Sequence, residues 1–522
     1  MRNAAAYLGV AALALLLIAS AGKPHGQPPA AADPIALASA TPPPAPAPSA
    51  SRVPLPPPTP SLSNATPFGA IGVLERDRTT QPSALDKYVN DRNPAVQTRA
   101  VLALGRLGNQ SAQPTLIRIL QDPSKATQVR AMAAFCLGLL ASPSSIDALW
   151  DAARHDAPAI ASAATGSLGR IGGATVVDDL TQLLSERDAG VRAQAAVGLG
   201  EVALPGAESI DIAHRQAASS ALASSILYER DQEVRWREAW ALSRSFYQNA
   251  APTLRHLLTD DEELVRVYAV SGLRRLRDRS YALPIRLLAN DPSWRVRWEV
   301  HYALVALRDP TGVNLKPPEV PKADLVEPAP VASSIPAGPH PQVAIVTNKG
   351  VIVLELFPDE APYSVDNFLS LVDRGFYNGL TYFRVISDFV VQGGDPKNTG
   401  DGGPGYSIPA ELNPVEQLTG VISYGLDYDQ KSNTPLVDSA GSQYYITQSP
   451  QLHLDRSFTV FGRVVKGLAV VDNISQQPDP PRPPGVGPPD VAKRVYRCEP
   501  VTPQTDEVEQ KLRTVEIGYD AR

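Results

Sequence analysis

Between residues 83 and 310 the apolar positions recur with helical periodicity, and the whole pattern repeats along the chain. Successive matching segments are 33, 31, 31, 43, 31 and 31 residues apart. Their first residues are Val96, Val129, Ile160, Val191, Val234, Val265 and Val296. Two helical segments per unit predict an α-solenoid over 83–310, because one helix pair cannot bury its apolar stripe without neighbouring pairs.

Segments such as VRAQAAVGLGEV and VRVYAVSGLRRLR resemble HEAT repeats, in the short form of the phycobilisome-lyase-like group. The resemblance implies a module that docks a protein partner. The resemblance also suggests a rival function for the solenoid, a lyase activity. We rank that rival low, because that group includes many scaffolds and the segments contain no residues suited to handling a chromophore or a cysteine.

Charged and aromatic residues recur with the repeat. An Asp usually precedes each segment, and an Arg follows the leading valine at Arg130, Arg192, Arg235, Arg266 and Arg297. These charges suit a binding stripe or an inter-repeat ladder of ion pairs, and we favour the ladder because they recur with the repeat itself. Two interpretations are equally good for four tryptophans: Trp236, Trp240, Trp294 and Trp298. Their arginine neighbours are typical of a binding surface, whereas their helical spacing is typical of core packing.

From residue 342 the pattern changes to strands. QVAIVTNKGVIVLELF predicts two strands around an Asn-Lys-Gly turn, and the following residues from Ala361 predict a helix. YFRVISDFVVQGGD then reads as a buried strand pair that nevertheless contains Arg384 and Gln392. Buried polar groups cost free energy unless they find partners, so these two are satisfied internally or point into a ligand cleft.

The alternation of side chains leaves two pairings open for this strand pair. A two-residue loop, Ser387-Asp388, places Arg384 opposite Val391 and Gln392 on the other face. A three-residue loop over residues 386–388 pairs Arg384 with Val390 and places Gln392 on the same face. A shared catalytic role requires the second arrangement.

The residues GVIVLELFPDEAPYSVDNFLSLVDRGFYNGLTYFRVISDFVVQGGD, with GSQYYIT and LDRSFTVFGRVVKGLAVVD after them, resemble the cyclophilin family of peptidyl-prolyl isomerases. The resemblance covers about residues 342–475, with a last strand near AKRVYRCEPV. It implies a mainly β, closed eight-stranded antiparallel barrel with two helices, the second near GLAVVDNIS. The chain is thus expected to be multidomain.

The resemblance also implies the site and its substrate, proline-containing polypeptides. Arg384 corresponds to the catalytic arginine, and Gln392 orients it and contacts substrate. The other expected substrate-binding positions are Phe389, Val390, Gln443, Tyr445, His453, Leu454, Phe458, Gly425 and Leu426.

Rotation about a peptide bond must overcome a barrier of about 18–20 kcal/mol from its partial double-bond character. A site that holds the proline ring and stabilises the twisted amide lowers that barrier without a nucleophile, metal or proton transfer. Arginine suits this role because it stays charged and its donors form a rigid plane. We therefore expect no cofactor and no metal, and a lone His453 does not change this.

The sequence departs from the family pattern at several positions. Phe383, His453 and Val390 stand where His, Trp and Met are common, and Gly425-Leu426 replaces an Ala-Asn pair that hydrogen-bonds substrate backbone. An insertion over 427–440 follows. These changes predict lower or more selective activity; the alternative is a catalytically weak scaffold that binds proline peptides.

Composition supplies the remaining boundaries. Residues 1–21 resemble a secretory signal peptide, the alternative being an uncleaved membrane anchor, so we expect a periplasmic or extracellular protein. Proline-rich linkers are predicted on either side of the solenoid, a disordered one at 22–82 and a second at 311–341. The isomerase domain then spans 342–500, and a tail spans 501–522.

The formal net charge of −6 is too mild to suggest a nucleic-acid partner. A membrane contact is expected only if the N-terminal segment stays uncleaved. The two cysteines, Cys136 and Cys498, fit no metal or redox motif, and a disulfide between them is disfavoured.

Overall fold

The computed structural model describes residues 66–78, 81–202, 210–314, 326–332, 334, 338, 340–429, 434–475 and 490–501. The chain separates into two compact units, one helical and one rich in strands. The predicted signal segment, most of the first linker and all of the tail after residue 501 lie outside the described residues. Within the described ranges, no helix combines the length and the apolar character needed to cross a membrane.

The helical unit consists of short helices. In chain order they are α1 (Pro67–Arg76), α2 (Asp86–Val89), α3 (Pro94–Arg106), α4 (Gln113–Gln121), α5 (Thr127–Leu140), α6 (Ile146–His155), α7 (Pro158–Ile171), α8 (Ala174–Leu183), α9 (Ala189–Val202), α10 (Ile212–Ser225), α11 (Gln232–Ser243), α12 (Ala251–His256), α13 (Glu263–Arg275), α14 (Ala282–Arg286), α15 (Trp294–Ala306) and α16 (Pro310–Asn314).

The repeated segments form one row of stacked helices, in the order α3, α5, α7, α9, α11, α13 and α15. Small residues allow close contact between neighbours. A Cβ added at Gly169 of α7 would lie 2.6 Å from the Cα of Gly198 in α9. The row confirms the predicted solenoid, in which each helix buries its apolar residues against the repeats on either side.

The recurring arginines join successive repeats. Arg266, for example, donates through Nε to Asp291 of the next repeat at 2.8 Å and through Nη1 to the Asp260 carbonyl at 2.8 Å. Equivalent pairs between successive repeats are Arg130 with Asp156, Arg192 with Glu229 and Arg235 with Asp260. The contacts agree with the ladder interpretation and supply no evidence for a binding stripe.

The four tryptophans do not form a single surface. Trp236 and Trp240 are 2% and 3% exposed and belong to the core of α11. Trp294 and Trp298 are half-buried on α15, where the Arg295 guanidinium lies 4.9 Å from the Trp294 ring centre. Core packing therefore explains the first pair, whereas the second keeps a solvent-facing side.

Helix α1 lies inside the segment that we predicted to be a disordered linker, so that prediction fails for residues 67–76. Ile71 is fully buried, and Glu75 pairs with Arg99 and, at 3.5 Å, with Arg106. Burial opposes ionisation of Glu75, but the two guanidiniums outweigh it and lower the pKa of this carboxyl. The apolar and charged contacts explain why these residues join the solenoid despite the proline-rich sequence before them.

Glu238 of α11 makes the stability of the solenoid pH-dependent. Its side chain is fully buried, and burial, with a smaller contribution from Glu229, raises the pKa of Glu238 from 4.5 to about 8. The folded state therefore binds this proton more tightly than the unfolded state does. The resulting stabilisation is complete below pH 4.5 and is lost as the pH rises towards 8.

We expect Glu238→Gln to remove this component of the pH dependence. Chemical unfolding followed by tryptophan fluorescence reports on the same helix through Trp236 and Trp240. Wild type should lose stability between pH 5 and pH 8, and the Gln variant should lose less. An identical decline in both proteins would show that Glu238 does not hold the proton.

The second unit is an antiparallel sheet closed into a barrel. Its strands are β1 (Gln342–Thr347), β2 (Val351–Leu356), β3 (Leu380–Thr381), β4 (Arg384–Ile386), β5 (Val390–Gly393), β6 (Val421–Tyr424), β7 (Tyr444–Thr447), β8 (Val460–Lys466) and β9 (Val491–Cys498). Helices α17 (Pro362–Asp373) and α18 (Leu468–Ser475) complete it.

The strand order is β3-β9-β1-β2-β8-β6-β7-β5-β4. The terminal strands β3 and β4 are consecutive in the chain, so they act as one interrupted strand that pairs with β9 at its start and with β5 at its end. Counted in this way the barrel has eight strands and is closed, as predicted. The core beneath α17 is aromatic and contains Phe368, Tyr377, Tyr424, Tyr444 and Phe461.

The second linker is also shorter than predicted. Residues 326–331, placed within the linker at 311–341, pair with β9: the Val331 amide donates to the Arg497 carbonyl and the Glu499 amide to the Ala329 carbonyl, both at 2.8 Å. This happens because β3 covers only the first residues of β9 and leaves backbone groups beyond them to be satisfied. At the preceding end, α16 continues helical structure to Asn314. Cys136 and Cys498 are both free and buried.

Candidate functional site

The hairpin of β4 and β5 places Arg384 directly opposite Gln392. Its loop is Ser387–Phe389, closed by a 3.1 Å hydrogen bond from the Phe389 amide to the Ile386 carbonyl, and Asp388 has a left-handed φ of 59°. Both pairings considered from the sequence are therefore wrong by one or more residues. The arrangement that a shared catalytic role requires is nevertheless confirmed, because Arg384 and Gln392 lie on the same face of the hairpin.

A row of hydrogen bonds fixes the arginine. Arg384 donates through Nη1 to Gln392 Oε1 at 3.0 Å, and Gln392 donates through Nε2 to Gln443 Oε1 at 3.1 Å. Gln443 in turn donates to the carbonyls of Gly400 and Gly402 at 2.7 and 2.9 Å. The three side chains are half-buried, so the row is oriented before any ligand binds.

The loop that holds Gln443 is organised by Asp395, which the sequence reasoning missed. The buried Asp395 carboxylate accepts hydrogen bonds from the amides of Lys397, Thr399 and Gly400 at 2.6, 2.9 and 2.6 Å. A Cβ at Gly402 would overlap this carboxylate, so the loop closes tightly around it. The turn-forming residues that follow Asp395 were the only signal available in the sequence.

An apolar pocket adjoins the polar row. Tyr445 and Phe458 meet edge to face with ring centres 5.8 Å apart, and the Arg384 guanidinium lies 6.0 Å from the Phe389 ring centre. The five side chains packed together there are Phe389, Val390, Tyr445, Leu454 and Phe458. The pocket therefore has an apolar floor and one cationic edge.

The structure brings nine of the eleven predicted residues to the lining of this cleft. They are Arg384, Phe389, Val390, Gln392, Gly425, Leu426, Tyr445, Leu454 and Phe458. The other two each contact a lining residue: Gln443 accepts a hydrogen bond from Gln392 at 3.1 Å, and His453 stacks on Phe389 with ring centres 5.9 Å apart.

Tyr428 is the one cleft residue that the sequence did not identify. It belongs to the insertion over 427–440, for which the family resemblance supplies no equivalent position. Its ring packs beside the apolar pocket and its side chain is half-buried.

The chemistry available in the cleft is narrow. The lining residues include a cation and an amide but no serine, cysteine or carboxylate. Among the described residues, no group of three or more His, Cys, Asp or Glu side chains is arranged to hold a metal ion. The arrangement suits an apolar ring next to a polar group that a fixed cation can stabilise.

Comparisons with known proteins agree with both parts of the chain. A family model described as cyclophilin type peptidyl-prolyl cis-trans isomerase/CLD matches residues 342–492. A model of HEAT repeats matches residues 81–165, 125–200 and 251–315.

Individual relatives match the barrel unit. A peptidyl-prolyl cis-trans isomerase from Helicobacter pylori is 45% identical over 136 residues, which are 25% of this chain and 78% of that protein. Peptidyl-prolyl cis-trans isomerase B from Bacillus subtilis is 45% identical over 126 residues, 24% of this chain and 82% of that protein. A crystal structure of a cyclophilin type isomerase from Cryptosporidium parvum has 27% identity and a TM-score of 0.28, and the match covers 31% of this chain and 99% of that one.

Proposed function

Because the chain belongs to the family of cyclophilin-type peptidyl-prolyl cis-trans isomerases, we propose that it isomerises Xaa-Pro bonds in exported proteins that its helical repeats hold nearby. The isomerase activity itself follows from family membership. The observation that carries the assignment of its active site is the hydrogen-bonded row from Arg384 through Gln392 to Gln443, beside an apolar pocket.

In the proposed mechanism the substrate proline ring occupies the pocket formed around Phe389 and Phe458. As the amide twists, the prolyl nitrogen regains its lone pair, and Arg384 donates a hydrogen bond to it or to the adjacent carbonyl. Gln392 and Gln443 keep the guanidinium in place. Because the donors are oriented in advance, they stabilise the twisted amide more than either planar form and so accelerate rotation.

A protease-coupled assay on an Xaa-Pro peptide tests the activity of the full chain. We expect catalytic concentrations of the protein to accelerate the slow phase, which lasts tens of seconds or more without a catalyst. An unchanged slow phase, with peptide still binding, would support the alternative of a weak isomerase that binds proline segments.

The role proposed for the solenoid is to dock a protein client. The match to HEAT repeats supports it, and so do the half-buried Trp294 and Trp298, the first with the Arg295 guanidinium over its ring, since tryptophan and arginine are enriched at binding hot spots. Tethering a client raises its effective concentration at the isomerase domain.

Docking predicts a difference between long and short substrates. Trp294→Ser combined with Trp298→Ser should raise KM for an unfolded, proline-containing protein but leave kcat/KM for a tetrapeptide unchanged. Trp236 is unsuitable as a target because it is a core residue. If the double variant handles both substrates as wild type does, this surface does not dock clients.

Export is supported by the leader-like residues 1–21 alone. Fractionation of cells that express the full chain tests it: we expect the protein outside the cytoplasm, and a cytoplasmic protein of full mass would contradict export.

A further inference from the structure

The described residues of the insertion, 427–429 and 434–440, are held by hydrogen bonds beside the cleft. Tyr428 pairs with Pro435 in an antiparallel bridge, beside which the Asp429 amide donates to the Thr434 carbonyl at 2.9 Å and the Leu436 amide to the Asp427 carbonyl at 2.8 Å. The Asp427 amide also donates to Ser439 Oγ at 2.7 Å. The backbone on both sides of Tyr428 is therefore held in place.

The Tyr428 side chain contributes both a wall and a polar atom. Its ring packs against the group that contains Phe389, Tyr445 and Phe458. Its hydroxyl oxygen is buried and has no hydrogen-bond partner among the described residues. Burial raises the pKa of this phenol, with Arg384 opposing the shift, so the group remains a protonated donor at neutral pH.

A buried donor without a partner is costly, and a ligand that supplies an acceptor removes this cost. A peptide whose proline occupies the pocket offers such acceptors in the backbone carbonyls on either side of the ring. Leu426, the lining residue that precedes Tyr428 in the chain, has no polar side-chain group to offer the substrate. Tyr428 is the nearest lining residue in sequence that has one.

We propose that Tyr428 is a substrate-binding residue whose hydroxyl donates a hydrogen bond to a backbone carbonyl of the Xaa-Pro peptide. The proposal deepens the proposed function and rests on it. It makes the insertion a specificity element, since the Tyr428 ring also limits the side chains that fit next to the proline.

The test is Tyr428→Phe in the full chain, which removes only the hydroxyl. We expect kcat/KM for an Xaa-Pro tetrapeptide to fall about 3- to 10-fold, the size of one neutral hydrogen bond, with a parallel loss of peptide affinity. The melting temperature should not fall, because no intramolecular bond is lost. Tyr428→Leu lacks the same hydroxyl and should lose at least as much activity.

Tyr496→Phe is the matched control. It removes a phenol hydroxyl from the same unit, but that hydroxyl already donates to the Pro328 carbonyl at 3.0 Å and lies outside the cleft lining. We expect its kcat/KM to equal that of wild type.

The outcomes separate the two proposals. If Tyr428→Phe and Tyr428→Leu keep wild-type kcat/KM while an Arg384 variant loses it, the role of Tyr428 is overturned and the active site stands. If wild type itself does not accelerate isomerisation, the proposed function fails, and the role of Tyr428 fails with it.

Discussion

Replacing Arg384 with alanine is expected to lower kcat/KM for an Xaa-Pro peptide by about 10²- to 10³-fold, the usual effect of removing one preorganised donor from a transition-state site. Arg384 is the cation among the residues that line the cleft, and its guanidinium is held by Gln392 at 3.0 Å. The alanine variant keeps the apolar pocket, so peptide affinity should fall much less than the rate. The protease-coupled assay measures the rate, and titration of the peptide followed by NMR measures its affinity.

Two further variants make this result specific. Arg384→Lys keeps the charge but loses the planar set of donors, and should recover only part of the activity. Arg463→Ala is the matched control, because Arg463 pairs with Glu355 at 2.9 Å and lies outside the cleft lining. An Arg384→Ala enzyme within about twofold of wild type would remove Arg384 from the mechanism, since a lost donor predicts a far larger change.

The second large effect concerns stability. Phe368→Ala is expected to destabilise the barrel by about 3–5 kcal/mol, as is typical when a buried aromatic side chain is truncated. Phe368 is fully buried on α17, with ring centres of Tyr377, Phe461 and Tyr444 at 5.1, 5.2 and 5.9 Å. The loss is a large share of the stability of an ordinary domain, so the variant should unfold at mild temperatures.

The measurement must report on the barrel. The described tryptophans all belong to the helical unit, so their fluorescence follows that unit. We therefore propose to follow thermal loss of isomerase activity. Val437→Ala, at a residue 47% exposed in the same unit, should leave the midpoint within about 1–2 °C, because surface truncations have small effects. A Phe368→Ala midpoint equal to that of wild type would contradict the assigned core.

The sequence predicted features that depend on periodicity. The solenoid followed from a spacing of about 31 residues, whereas the alternation of side chains along strands left open whether Arg384 and Gln392 share a face. The exact pairing did not follow, because it depends on the position of the loop, which has three residues as in one candidate pairing but lies one residue later. Asp388 adopts a left-handed conformation that moves the loop to Ser387–Phe389, and neither candidate pairing anticipated it.

Other features depend on partners that are distant in sequence. Helix α1 forms because Glu75 and Ile71 find sites in the solenoid, and residues 326–331 become ordered because β9 has unpaired backbone groups. Tyr428 reaches the cleft only through the fold of an insertion. No local pattern of residues indicates such contacts, so composition alone classified these segments as linker or loop.

The most direct test of the central claim is exchange NMR on an Xaa-Pro peptide with catalytic amounts of protein at equilibrium. With wild type, cross-peaks should connect the cis and trans forms on a sub-second timescale. With Arg384→Ala, peptide signals should still shift on binding but show no such exchange. Equal exchange rates with the two proteins would mean that the guanidinium at the edge of the pocket does not stabilise the twisted amide.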